Sequence, residues 1–167
     1  THGGAEHLVV NLCSNLNKDK FDVHVLVIEG YREDNDRDML RKLEENKVTV
    51  HFLGKMQKGK GKLVTLCKII TFLKKNKPDI VHAHLEHCSI YTAVASLFYK
   101  RAIYIQTIHN TVLTNVQLLK ILSKRFQRTI AISKEVEEVI KSELKIQKNY
   151  IKLIFNGVDT NRFNPIG

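Results

Sequence analysis

Leu63-Val64-Thr65-Leu66-Cys67-Lys68-Ile69-Ile70-Thr71-Phe72-Leu73-Lys74-Lys75-Asn76-Lys77-Pro78-Asp79-Ile80-Val81-His82-Ala83-His84 carries two different periodicities on either side of one proline. Before Pro78, the residues Leu63, Leu66, Cys67, Ile70 and Leu73 recur on one face of a helix. Proline disfavours helical backbone in the residue before it, so the helix stops there and residues 79–84 resume as a short apolar strand. The same alternation continues in both directions. Residues 23–28, 48–53, 102–107, 128–132 and 151–155 are compact, β-branched runs that bring the total to about six strands. Leu8, Val9, Leu12, Cys13 and Leu16 form another helical face, and Val136, Val139, Ile140 and Leu144 a third. Ser133 stands where a helix N-cap is wanted, and Glu135 suits the positive end of that helix.

Strands that alternate with helices of this length predict an α/β, Rossmann-like, doubly wound parallel sheet with right-handed crossovers. The strands show little polar alternation, which predicts burial on both faces. In such a sheet ligands bind outside the carboxyl ends of the strands, so the search for function narrows to those ends.

Composition sets the outer limits. The chain has 167 residues, of which 43% are hydrophobic and 26% charged, the profile of one globular domain over residues 1–167. No apolar run approaches the ~18 residues of a membrane span, and the start has no secretory pattern, so a cytoplasmic location is expected. Cys13, Cys67 and Cys88 are odd in number and widely spaced, which predicts buried free thiols rather than a disulfide framework or a zinc site. A formal charge of +10 favours anionic partners: phosphates, nucleic acid or an anionic membrane. With no Trp and 7% aromatic residues, nucleic-acid binding lacks its stacking platform and is not expected.

Three strand ends bear polar groups. Gly3-Gly4 opens a helix, where close backbone approach and free N–H groups favour a phosphate. The segment after the strand at 102–107 is Ile108-His109-Asn110-Thr111, which puts an imidazole and two polar side chains at the sheet edge. Asn156-Gly157-Val158-Asp159 follows the last strand as a turn in which glycine would supply a special backbone angle. Each has a plain structural reading when taken alone: a turn, or a histidine satisfied within the fold.

In order along the chain, G-G-A-E, P-D-I-V-H-A-H, Q-T-I-H-N-T, A-I-S-K-E-V and I-F-N-G-V-D-T-N-R-F-N-P resemble the N-terminal domain of the retaining family 4 (group 1) glycosyltransferases of GT-B fold. The likeness runs from Gly3 to Pro165. It implies transfer of a sugar from a nucleotide-sugar donor to an acceptor hydroxyl with retention, in bacterial cell-surface polysaccharide or glycolipid synthesis. By resemblance, His109 is the catalytic residue, facing the donor sugar and its departing phosphate. Gly3 and Gly4 lie under the diphosphate, Asn156, Gly157 and Asp159 line the cleft base, and His84, Asn110, Thr111 and Ser133 sit at neighbouring strand ends. Glu6 only complements its helix N-terminus. No metal or other cofactor is implied.

The resemblance also implies a donor shared with a C-terminal domain whose paired glutamates this chain lacks. Glu135 and Glu143 match their spacing but fall in the wrong domain. This half alone is expected to be inactive, and a first strand is expected before Gly3. The acceptor would be a sugar or a lipid-linked molecule. The basic run Gly54–Lys62 would suit peripheral docking at the inner face of the plasma membrane, at roughly 1 kcal/mol per basic residue.

Other functions stay in view. A non-catalytic Rossmann-like binding module would keep the fold without the chemistry. His82-Ala83-His84-Leu85-Glu86-His87 resembles the ligand run of a metal-dependent hydrolase using His82, His84 and His87, with Glu86 in place of an aspartate. Residues 54–61 imitate a phosphate-binding loop, but Gly61 occupies the position that needs Ser or Thr for magnesium. Another Rossmann enzyme would need the G-x-G-x-x-G that Gly3-Gly4 does not supply.

Overall fold

A computed structural model of the chain describes residues 3–28, 33–54 and 61–157. These form two compact units. The described part of the first comprises residues 3–26, 33–51 and 155–157, and that of the second residues 27–28, 52–54 and 61–154.

The first unit holds helices α1 (Gly4–Asn15) and α2 (Glu33–Glu45), which pack together, and all but the last residue of each of the paired strands β1 (His24–Val27) and β2 (Thr49–Phe52). Thr49 N–H donates to Val23 O at 3.0 Å and Leu53 N–H to Val27 O at 2.9 Å, so the two strands run in the same direction. Val10, Val23, Leu43 and Val48 make a small core. The expected face of α1 holds in part: Cys13 and Leu16 pack against this core, but its buried residue is Val10, and Leu12 is 41% exposed. Apolar residues occupy so much of this helix's circumference that periodicity admits more than one inward face.

The second unit contains α3 (Gly61–Asn76) and a four-stranded parallel sheet ordered β3 (Ile80–His84), β4 (Ile103–Ile108), β5 (Arg128–Ala131), β6 (Ile151–Leu153). Consecutive strands are joined by α4 (Glu86–Ala95), α5 (Val116–Leu122) and α6 (Lys134–Ser142), the βαβ repetition that the sequence predicts. All six expected strands are present, their ends shifted by at most two residues, and the strand expected at 102–107 runs one residue further, to Ile108.

Ile108, Ala131 and Ile151 from the sheet pack with Leu119, Val136, Ile140 and Leu144 to form the main core. Within it, Gln106 is fully buried and its Nε2 donates to Ser123 Oγ and Thr129 Oγ1, each at 3.0 Å. These bonds satisfy the amide N–H groups, while Gln106 Oε1 is buried with no hydrogen-bond partner among the described residues. Ser133 caps α6 as expected, its Oγ accepting from Val136 N–H at 3.2 Å. That hydroxyl, ahead of the N-terminal backbone N–H groups, also holds the Glu135 carboxyl below its ordinary range.

Three expectations need correction. Burial on both faces fails at the start of β3 and β4, where the register partners Ile80 and Ile103 are 49% and 51% exposed. The inward face of α3 is Thr65, Ile69 and Leu73 rather than Leu63 and Cys67, which are exposed. Cys67 is therefore not a buried thiol, and Cys13 and Cys88 are only half-buried.

Because Ser133 caps the helix that supplies Val136 and Ile140 to the core, Ser133→Ala should lower unfolding stability by about 1 kcal/mol. Denaturant titration checks this, and an unchanged midpoint would remove the cap from the account.

Candidate functional site

Strand alternation puts His82 and His84 on one face of β3, with the buried Ala83 on the other. Parallel pairing aligns His84 with Thr107 of β4, so His109, two residues further on, lies on that same face just beyond the strand end. The side chains meet accordingly. His82 Nε2 is 2.8 Å from Thr107 Oγ1, and His84 Nδ1 is 3.1 Å from His109 Nε2. The His82 and His84 rings tilt against each other with centroids 4.2 Å apart, and those of His84 and His109 are 5.4 Å apart.

This arrangement opposes protonation. Burial, followed by the nearby His109, lowers the His82 pKa to about 4. Burial, then His82 and His109, lowers that of His84 to about 3. Around neutral pH both rings are uncharged, and in the His84–His109 contact one nitrogen donates while the other accepts.

The backbone turns sharply between β3 and α4. Leu85 alone separates the strand from the helix, at φ 70° and ψ 150°. This region is nearly reserved for glycine and costs a side-chain-bearing residue roughly 1–3 kcal/mol. Leu85, Glu86, Ile108, His109, Asn110 and Leu113 line an open depression at this corner.

Glu86 closes one side of the depression. Its carboxylate accepts from Thr114 N–H at 3.1 Å, Thr114 Oγ1 at 2.8 Å, Asn115 N–H at 2.8 Å and Asn115 Nδ2 at 3.3 Å. Partial burial pushes its pKa up, but these four donors outweigh that and hold it below the usual value.

The remaining expected residues are placed as follows. Asn110 and Thr111 are exposed in the loop after β4, Asn110 lining the depression. Ser133 is half-buried and occupied as the α6 cap. Gly3 and Gly4 begin α1 in the first unit, to which Asn156 and Gly157 also belong, both exposed. Gly157 does not adopt the left-handed backbone expected of it; among the described glycines only Gly54 does. Asp159 lies outside the described residues, as does most of the basic run from Gly54 to Lys62.

The hydrolase-like run does not assemble as its spacing suggests. Among the described residues no three His, Cys, Asp or Glu side chains group to hold a metal, His87 is exposed on α4, and Glu86 is engaged by Thr114 and Asn115. Sequence reasoning missed the Glu86 contacts and the Leu85 turn. The only local signal was Thr114-Asn115, a pair of cap-forming residues ahead of α5 whose partner is remote in the chain.

The pH dependence has a definite sign. His82 and His84 have folded-state pKa values below the ordinary 6.5, so the unfolded chain binds more protons as pH falls. Their contribution is complete above pH ~6.5 and is lost progressively towards pH ~4 and then ~3. Between pH ~6.5 and ~4.5, above the carboxylate range, the thermal midpoint should fall less in His84→Gln than in the wild type. Equal slopes would show that His84 is not held neutral by the fold.

A model described as Glycosyltransferase Family 4 matches residues 2–162. No curated protein matches the sequence. Among solved structures, the chain is similar to Anabaena Alr3699/HepE, crystallised in complex with UDP and glucose, at 20% identity and TM-score 0.72 over 95% of this chain and 42% of that one. It is also similar to a glycosyltransferase from Rickettsia africae ESF-5, at 19% identity and TM-score 0.74 over 98% of this chain and 42% of that one. The chain thus spans about two-fifths of either structure, and at these identities the likeness establishes the shared Rossmann-like, GT-B-type fold. Since the family model spans nearly the entire sequence, the chain belongs to Glycosyltransferase Family 4.

Proposed function

We propose that this chain is the N-terminal, acceptor-side domain, over residues 1–167, of a retaining glycosyltransferase that moves a sugar from a nucleotide-sugar donor to an acceptor hydroxyl. The observation that carries this reading is the His84–His109 pair at the carboxyl edge of a parallel sheet, where such folds bind ligands. The complex of HepE with UDP and glucose supports a nucleotide-sugar as donor.

In the proposed reaction the bond from the anomeric carbon to the leaving phosphate oxygen breaks as the acceptor oxygen bonds to the same face of that carbon. The acceptor proton passes to the departing phosphate. Such a step needs positioning and stabilisation of the phosphate charge rather than a protein nucleophile or a metal. His109 is the catalytic residue, hydrogen-bonding the donor sugar and phosphate, with His84 behind it. Asn110, Thr111 and Ser133 would supply neighbouring contacts.

Gly3 and Gly4 would pass beneath the diphosphate, and Asn156, Gly157 and Asp159 would line the cleft base. Among the described residues, a Cβ on Gly4 would meet no atom within 4 Å outside its own helix backbone and chain neighbours, and one on Gly3 only the Glu6 carboxylate, at 3.0 Å. A C-terminal domain would hold the rest of the donor, so the domain alone would be inactive. The pathway would be bacterial cell-surface polysaccharide or glycolipid synthesis, on the cytoplasmic side.

In the full-length protein, His109→Ala should reduce donor turnover about 100-fold, the scale of losing one charge-stabilising donor. Gly4→Ala should impair turnover while leaving the thermal midpoint unchanged or raised, since alanine favours a helix by about 1 kcal/mol. A full-length wild type unable to transfer or hydrolyse any nucleotide-sugar defeats the reading, as does an unaffected His109→Ala.

A lipid-linked acceptor is supported by Leu118 and Ile121, which are 44% and 66% exposed on α5 close to Lys120 and Lys124. No helix among the described residues is long and apolar enough to cross a membrane, so attachment of this domain through them would be peripheral. Sedimentation with phosphatidylglycerol vesicles should weaken as salt rises; binding that is absent or indifferent to salt rules out electrostatic docking.

A further inference from the structure

The loop after β4 carries His109, Asn110 and Thr111, yet the strand holds it only at one end. At its other end the chain enters α5 through Asn115, the N-cap, whose side chain makes no cap bond to that helix. Backbone N–H groups at such an entry need outside acceptors. Here the acceptor comes from a different helix. Glu86, the first residue of α4, takes both backbone N–H groups of Thr114 and Asn115 as well as their side chains.

We propose that Glu86 is a positioning residue of the active site: its carboxylate ties Thr114 and Asn115 to the start of α4 and thereby holds the loop that presents His109. The inference rests on the glycosyltransferase reading for what His109 does, but not for the existence of the tie.

Two features give the tie its reach. Leu85, at φ 70°, turns the chain so abruptly that helix α4 begins one residue after the strand bearing His84. Glu86 is thereby delivered to the mouth of the depression instead of continuing the strand direction. Leu113, immediately before the tied residues, packs against the main core and lines the same depression. With Ile108 held in β4 and Thr114 held by Glu86, residues 109–113 are closed at both ends. His84 and Glu86, on either side of Leu85, therefore grip the loop twice: once at the His109 ring and once at its far end. Oε1 accepts from all four donors and Oε2 shares the Thr114 N–H at 3.1 Å, so an amide here would set its own N–H groups against that N–H and offer the other donors an uncharged, weaker acceptor.

The test uses the full-length protein with Glu86→Gln, Glu86→Ala and Glu86→Asp. In the first two, hydrogen exchange across residues 109–116 should quicken about tenfold while residues 128–140 keep their protection. Their kcat for nucleotide-sugar turnover should fall about tenfold or more, since small displacements of a positioned group are costly, with the donor KM changing much less. Glu86→Asp, which keeps the charge on a shorter stem, should recover part of both losses. Unchanged exchange in the loop overturns the tie. Faster exchange with intact kcat overturns the positioning role and leaves a merely structural contact. If the wild type turns over no nucleotide-sugar, the proposed function fails separately. The tie is then judged from the 15N ring resonances of His109, which should move in Glu86→Gln; identical spectra would refute it.

Discussion

The parallel pairing of β3 with β4, in the register that sets His84 opposite Thr107, governs the rest of the candidate site. Side chains on a strand repeat every two residues, so this register puts His82, His84, Thr107 and His109 on one face. A slip by one residue would send His84 and His109 to opposite faces and dissolve their contact. The register is held from the other face, where Gln106 bonds Ser123 and Thr129, and Ile108 packs into the core. Core packing thus helps to specify the edge that carries the candidate site, and Ile108 belongs to both.

Bringing three imidazoles together has an electrostatic consequence. Each buried ring that stays neutral relieves its neighbours of a like charge, and burial has already made the charged forms costly. The neutral His82 and His84 rings offer directional donors and acceptors whose roles are set by tautomer.

Much of the fold was legible along the chain because its signals are local. Pro78 marks the end of one helix, Ser133 the start of another, and the β-branched runs mark all six strands. The inward faces of α1 and α3 were legible only in part, at Cys13, Leu16 and Leu73, since apolar residues there exceed what one face needs and only packing selects Val10 or Ile69. The imidazole at 109 stood out as a polar residue at a strand end. Its bond to His84 did not, because the two are joined only by the register of strands distant in sequence.

Glu86 shows the limit most clearly. In sequence it is a departure from a metal-binding pattern, and its four donors lie far downstream in Thr114 and Asn115. The sequence by itself determined the alternation of strands and helices, the family and the identity of the polar residues at the strand ends, all of which follow from short-range periodicity and ordered motifs. Only the tertiary structure decided which of those residues touch, that His82 and His84 are held neutral, and that Glu86 serves a loop instead of a metal. Those outcomes depend on burial and on hydrogen bonds between segments that meet only after the sheet has formed.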